Sequence, residues 1–71
     1  MSNNIKSERG RLDLTQVELA GKLSVDTSTI SGWENGKRDI PSSKAKEMSE
    51  LFDCSIDYLF GLSNERSKVR F

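Results

Sequence analysis

The chemistry this chain can offer a ligand is hydrogen bonding and positive charge. Thr27, Ser28, Ser31 and Gly32 form a short polar face within one segment, and Asn35, Lys37 and Arg38 follow it closely. Hydroxyls, an amide and two cations can hold anions and polar edges, but they do not break bonds unaided. No reacting centre accompanies them. There is no histidine, no nucleophile with a base at a readable spacing, no Gly-rich phosphate loop and no cluster with metal-ligand spacing. The single cysteine, Cys54, cannot form an intramolecular disulfide. These features argue against an enzyme and require neither a cofactor nor a metal.

The polar face has to be positioned by residues 15 to 35, TQVELAGKLSVDTSTISGWEN. Thr15 and Glu18 make a T-x-x-E capping box. The threonine oxygen accepts from the N–H three residues on, and the glutamate reaches back. Leu19, Ala20 and Leu23 then follow with helical spacing, so a helix is expected from about Gln16 to Leu23. Ser24 and Val25 break the pattern. Asp26 suits the N-cap of a second helix, about Thr27 to Asn35, where its carboxylate would satisfy free N–H groups. Ile30 and Trp33 are the inner stripe of that helix, which leaves Thr27, Ser28, Ser31 and Gly32 outward. Trp33 reads as core and not as a stacking platform. Asn35-Gly36 ends the helix because both residues tolerate a left-handed backbone. The small Ala20 lets the two helices cross closely over a short turn, which makes a helix-turn-helix.

Seventy-one residues make one domain near the lower size limit for a single core without staples. Before the motif, a first helix is expected from about Ile5 to Leu12, which are seven apart and lie on one face. Met1 to Asn4 reads as a frayed start in which Asn3 or Asn4 could act as the cap. After the motif, a helix begins near Pro41, with Ser42 and Ser43 as alternative caps. Its core stripe is Ala45, Met48, Leu51 and Phe52, and its solvated face is Lys44, Lys46, Glu47 and Glu50. A last helix starts at Ser55, which caps it, and stops at Gly61. Tyr58, Phe60 and Leu62 are more apolar surface than one short helix readily hides, which points to a homodimer patch. Residues 63 to 71, SNERSKVRF, lack periodicity. They read as a polar basic tail: disordered, a truncated linker, or an arm that folds on a partner.

At the level of these residues the chain resembles the helix-turn-helix of the Cro/CI-type repressor family, also called the XRE family. The resemblance is carried by Leu14-Thr15-Gln16, Glu18-Leu19-Ala20, Leu23, Val25, Thr29-Ile30-Ser31, Trp33-Glu34 and Asn35-Gly36-Lys37. Ile5 to Arg9 and Ser55 to Phe60 also fit, so it covers roughly residues 4 to 62. It implies an all-α, compact, five-helix lambda-repressor-like DNA-binding domain over residues 1–62, with the helix-turn-helix at helices 2 and 3. Arg9 and Glu34 would be a structural pair joining the first helix to the end of the third. Gln16 would set its amide beside a DNA phosphate at the positive end of helix 2. Thr27, Ser28, Ser31 and Gly32 would face bases in the major groove. Thr27 and Ser28 also read as ordinary first-turn helix residues. Asn35, Lys37 and Arg38 would meet the sugar-phosphate backbone, whereas a solvated turn with a local Arg38–Asp39 pair is the plainer reading of that loop. The family prefers glycine where this chain has Ser24, and glycine or asparagine where it has Asp13. Both residues would then carry a strained positive φ. Cys54 stands where the family has an apolar residue and is expected to be buried and inert.

The resemblance makes double-stranded DNA the expected partner. The expected function is a sequence-specific transcriptional regulator, a repressor that binds a pseudo-palindromic operator as a homodimer. Two features weigh against strong binding. Eleven basic and eleven acidic residues cancel, and phosphate neutralisation dominates affinity for nucleic acids. In addition, none of the four base-facing positions holds an Arg, Gln or Asn for a bidentate base contact. The alternative is a protein-interaction module, antitoxin-like or anti-repressor-like, that uses the same fold toward a regulatory protein partner. The absence of any secretory or membrane-spanning stretch and the lone cysteine suit a cytoplasmic protein.

Overall fold

Among the described residues five helices follow one another in chain order: α1 (Ile5–Arg11), α2 (Gln16–Leu23), α3 (Thr27–Glu34), α4 (Ser42–Phe52) and α5 (Ile56–Leu59). The structure is a computed structural model, and it describes residues 3–67. The expected tail residues Lys68, Val69, Arg70 and Phe71 lie outside the described residues. There is no strand among the described residues, so the fold is all-α and compact, as expected of a lambda-repressor-like domain.

The core lies where the helical stripes converge. Ile5, Leu19, Ala20, Leu23, Ile30, Trp33, Met48, Phe52, Cys54 and Leu59 are buried in one cluster, with Leu14, Val25, Ile40, Leu51 and Tyr58 packed against it. At about 25 cal/mol for each Å² of apolar surface removed from water, such a cluster is the main term holding the helices together. α2 and α3 pack on each other, and both touch a third helix, α2 on α4 and α3 on α1.

Local signals set most of the helix ends. Thr15 Oγ1 accepts from Glu18 N at 3.0 Å, and Glu18 Oε1 accepts from Thr15 N at 2.9 Å, which completes the capping box. The Thr15 N–H holds the Glu18 carboxyl below its ordinary range. Ser55 Oγ accepts from Tyr58 N at 3.1 Å and caps α5. Among the described residues three non-glycines adopt a left-handed backbone: Asp13 (φ 55°), Ser24 (φ 57°) and Asp53 (φ 53°). Ser24 ends α2 in this way and turns the chain into the motif.

Several expectations need correction. Asp26 is the N-cap of α3, but its carboxylate makes no capping hydrogen bond. α1 ends at Arg11, one residue short of the expected Leu12, which is its exposed C-cap. Asn35 keeps a right-handed backbone, and Gly36 (φ 73°) alone makes the left-handed turn. Asn3 and Asn4 are anchored and not frayed. Asn3 Nδ2 donates to Trp33 O at 2.7 Å and Asn4 Nδ2 to Tyr58 O at 2.6 Å, while Asn3 Oδ1 accepts from Ile5 N. Lys44 is not simply solvated. Its Nζ donates to Leu23 O at 2.6 Å, at the negative end of α2, and also pairs with Glu47 at 3.2 Å.

Candidate nucleic-acid interface

The motif helices are locked to the body by a buried polar cluster. Arg9 on α1 donates from Nε to Glu34 Oε2 at 2.7 Å and from Nη2 to Glu34 Oε1 at 3.3 Å. Its Nη1 also donates to Leu14 O at 2.9 Å. One guanidinium thereby ties α1, the approach to α2 and the last residue of α3. The Glu34 side chain is almost fully buried. A carboxylate there is tolerable only because charge and hydrogen bonds are both supplied. Gln16, the first residue of α2, adds a third donor, with Nε2 at 3.0 Å from Glu34 Oε1. The Gln16 amide is therefore turned toward Glu34, and its placement is shared between that lock and the surface.

α3 presents its polar side outward. Ile30 and Trp33 are buried, so Ser28, Gly32 and Asn35, at i, i+4 and i+7, lie on the opposite face. Ser28 and Asn35 are exposed; Thr27, Ser31 and Gly32 are half-buried along the same side. Asn35 Nδ2 reaches toward Ser31 Oγ at 3.4 Å. Trp33 is core, and its indole N–H donates to Asp39 O at 3.2 Å, which shapes the loop after α3.

That loop folds back on the helix. Lys37 N and Arg38 N donate to Gly32 O at 2.8 and 3.2 Å. Lys37 is exposed and, among the described residues, has no ion-pair partner. The local Arg38–Asp39 pair considered from sequence does not form. Arg38 instead lies over Gly32 and points toward Thr29. The helical pattern marks Thr29 only as a flank of the outward face, and the path of Arg38 is what brings it into contact with the loop.

The rest of the surface carries less chemistry. Among the described residues there is no group of metal-ligating side chains and no helix long and apolar enough to cross a membrane. Cys54 is buried. Leu62 is 64% exposed beyond α5, whereas Tyr58 and Phe60 are half-buried. An open groove of about 290 Å³ runs between Asn3, Trp33, Ile40, Phe60 and Leu62.

Comparison with known proteins agrees with this geometry. A family model described as "Helix-turn-helix" matches residues 5–59. The chain is 31% identical over 61 residues to the HTH-type transcriptional regulator ImmR of Bacillus subtilis (strain 168), covering 86% of this chain and 48% of that one. It is 35% identical over 66 residues to the uncharacterized HTH-type transcriptional regulator YqaE of the same organism, covering 92% and 57%. It is 49% identical over 39 residues to the regulatory protein cro of Pseudomonas phage D3, covering 55% and 53%. The chain thus spans about half the length of these curated relatives, all of which are named as regulators and none as an enzyme. With five helices in this order, the α2–α3 motif and a family match over most of its length, the chain belongs to the Cro/CI-type, or XRE, family of helix-turn-helix proteins.

Proposed function

We propose that this chain is the DNA-binding unit of a transcriptional regulator, acting as a repressor in the cytoplasm. It docks α3 in the major groove of a pseudo-palindromic operator as a homodimer. The observation that carries this reading is the outward face of α3, held by the Arg9–Glu34–Gln16 lock and flanked by the exposed Lys37. Thr27, Ser28, Ser31 and Gly32 meet base edges; a hydroxyl bonds several bases and the threonine methyl packs on a thymine methyl. Gln16, Asn35 and Lys37 provide polar and charged groups at the phosphate backbone, and Arg38 adds a cation beside the α3 face. Residues 1–62 form the docking unit, and the basic segment after 62 packs back on it as far as Arg66. The dimer patch is the apolar surface of Tyr58, Phe60 and Leu62, placing two α3 helices about 34 Å apart along the DNA. The names of the relatives support a regulatory role.

A second reading has a specific observation behind it. Net charge is zero, and α3 itself has no long bidentate side chain on its outward face, which would suit a surface for a protein partner. Salt separates the two. Affinity for duplex DNA falls steeply with salt, with a logarithmic slope of about −0.9 for each phosphate neutralised. A complex insensitive to salt, or no measurable duplex binding at low salt, favours the protein partner.

A further inference from the structure

Gly32 is the one position on the outward stripe of α3 without a side chain, and the space beside it is filled from elsewhere. A Cβ at Gly32 would stand 2.7 Å from Arg38 Cδ, 2.8 Å from Cγ and 3.2 Å from Nε. The Arg38 stem therefore lies directly on the Gly32 backbone. The turn explains how it gets there. Gly36 takes φ 73°, and the N–H groups of Lys37 and Arg38 both return to Gly32 O. The side chain then runs back along the helix, so that Nη1 comes within 3.5 Å of Thr29 Oγ1, nearly one turn earlier. At that length the hydroxyl orients the guanidinium without consuming it. No carboxylate pairs with Arg38 among the described residues, and the residue stays exposed. A guanidinium with most of its donors unspent thus lies on the same face as Ser28 and Asn35.

We infer that Arg38 is a specificity-determining residue, reading a guanine through O6 and N7 from outside the recognition helix. This rests on the DNA-binding reading above. Between Thr27 and Glu34 no outward side chain can make a bidentate base contact, Asn35 at the C-cap suits adenine alone, and guanidinium to guanine O6 and N7 is the commonest specific contact. Lys37 leaves the end of α3 and suits a phosphate. Arg38 shares the loop, but its stem lies against Gly32 and its guanidinium reaches Thr29, which brings the fork to the side of α3 rather than beyond its end. Gly32 is the other half of the device, because any side chain there would displace the stem.

The test measures affinity for a panel of duplexes in which each base pair of a site selected by the unaltered protein is replaced in turn. Arg38→Ala is expected to lower discrimination at one base pair in each half-site by at least about fivefold, leaving preferences elsewhere intact. Arg38→Lys should fail to restore it, since an ammonium lacks the fork. Gly32→Ala removes no polar group and favours the helix, yet it should reduce preference at that same base pair. A uniform loss across the panel, with base preferences unchanged, would make Arg38 a phosphate contact and overturn the inference. So would effects of Gly32→Ala and Arg38→Ala at different base pairs. If the unaltered protein selects no site, the DNA-binding reading itself fails and this inference with it.

Discussion

Glu8 and Arg66 are 58 positions apart in the chain and form a bidentate ion pair, Nη2 to Oε1 at 2.7 Å and Nε to Oε2 at 3.0 Å. Glu8 is only 2% exposed. Its carboxylate is also held by Arg11 Nε at 3.0 Å, and both guanidiniums donate to Phe52 O, the last carbonyl of α4. Ser55 N donates to Arg66 O at 2.9 Å. The segment after residue 62 is therefore packed back on the domain as far as Arg66. The hydrogen bond from Arg66 is the main cause holding the Glu8 carboxyl below its ordinary value of 4.5, against burial, which raises it. A carboxylate with a lowered folded pKa contributes stability that is present above the unfolded value and is lost as pH falls through the folded value. Arg66→Ala, or truncation after Leu62, should lower the thermal midpoint at neutral pH and move acid unfolding to higher pH. Circular dichroism against pH checks both. An unchanged acid midpoint would contradict this role for Arg66.

The Arg9–Glu34 pair makes a larger claim on stability. Glu34→Ala leaves a mostly buried guanidinium without its carboxylate and should cost about 3–5 kcal/mol. Gln16→Ala removes one neutral donor to the same carboxylate and should cost about 1.5–3 kcal/mol, the range for a hydrogen bond to a charged group. Urea denaturation measures both, and a destabilisation by Glu34→Ala of less than about 1 kcal/mol, the worth of an exposed pair, would show that the Arg9–Glu34 pair does not hold the helices together.

Helix caps give a sharp contrast. Thr15→Ala breaks a formed capping box and should cost about 1 kcal/mol. Asp26→Ala removes a carboxylate that makes no capping bond and should stay within about 0.5 kcal/mol. Ser24→Gly relieves a left-handed residue and should stabilise the domain by about 1 kcal/mol. The same denaturation experiment ranks the three.

Surface roles separate through DNA and not through folding. Lys37→Ala should weaken binding to every sequence alike. It should also make the logarithmic salt slope shallower by about 0.9 for each phosphate that Lys37 neutralises. Thr27→Ala or Ser28→Ala should relax preference at particular bases and leave the thermal midpoint nearly unchanged. Fluorescence anisotropy at several salt concentrations reads the first effect, and competition between duplexes reads the second.

What was legible in the sequence follows from the range of each interaction. The capping box of Thr15 and Glu18, the Ser55 cap, the inward Ile30 and Trp33 and the bounds of α2 all arise within a few residues, where spacing reports geometry directly. Asp13 and Ser24 were readable as left-handed positions through the family resemblance; Asp53 had no such signal. The misses lie mostly where the chain closes on itself. Nothing near Glu8 marks it as buried, because its partner Arg66 comes from the far end of the chain. Lys44 looks solvated until α4 is laid against the end of α2 and brings it to Leu23 O. Asp26 has the right residue type for a cap, yet helix entry can be made with the side chain turned away. At the candidate interface, the helical face of Thr27, Ser28, Ser31 and Gly32 could be read from periodicity. The path of Arg38 over Gly32 could not, since it depends on the turn at Gly36.

The most direct test of DNA recognition by α3 is selection of duplexes by the unaltered protein from a random-sequence pool at low salt, followed by sequencing of the bound fraction. Recognition by a dimer predicts an enriched inverted repeat with half-sites about one helical turn apart. A bound fraction indistinguishable from the input pool would contradict it.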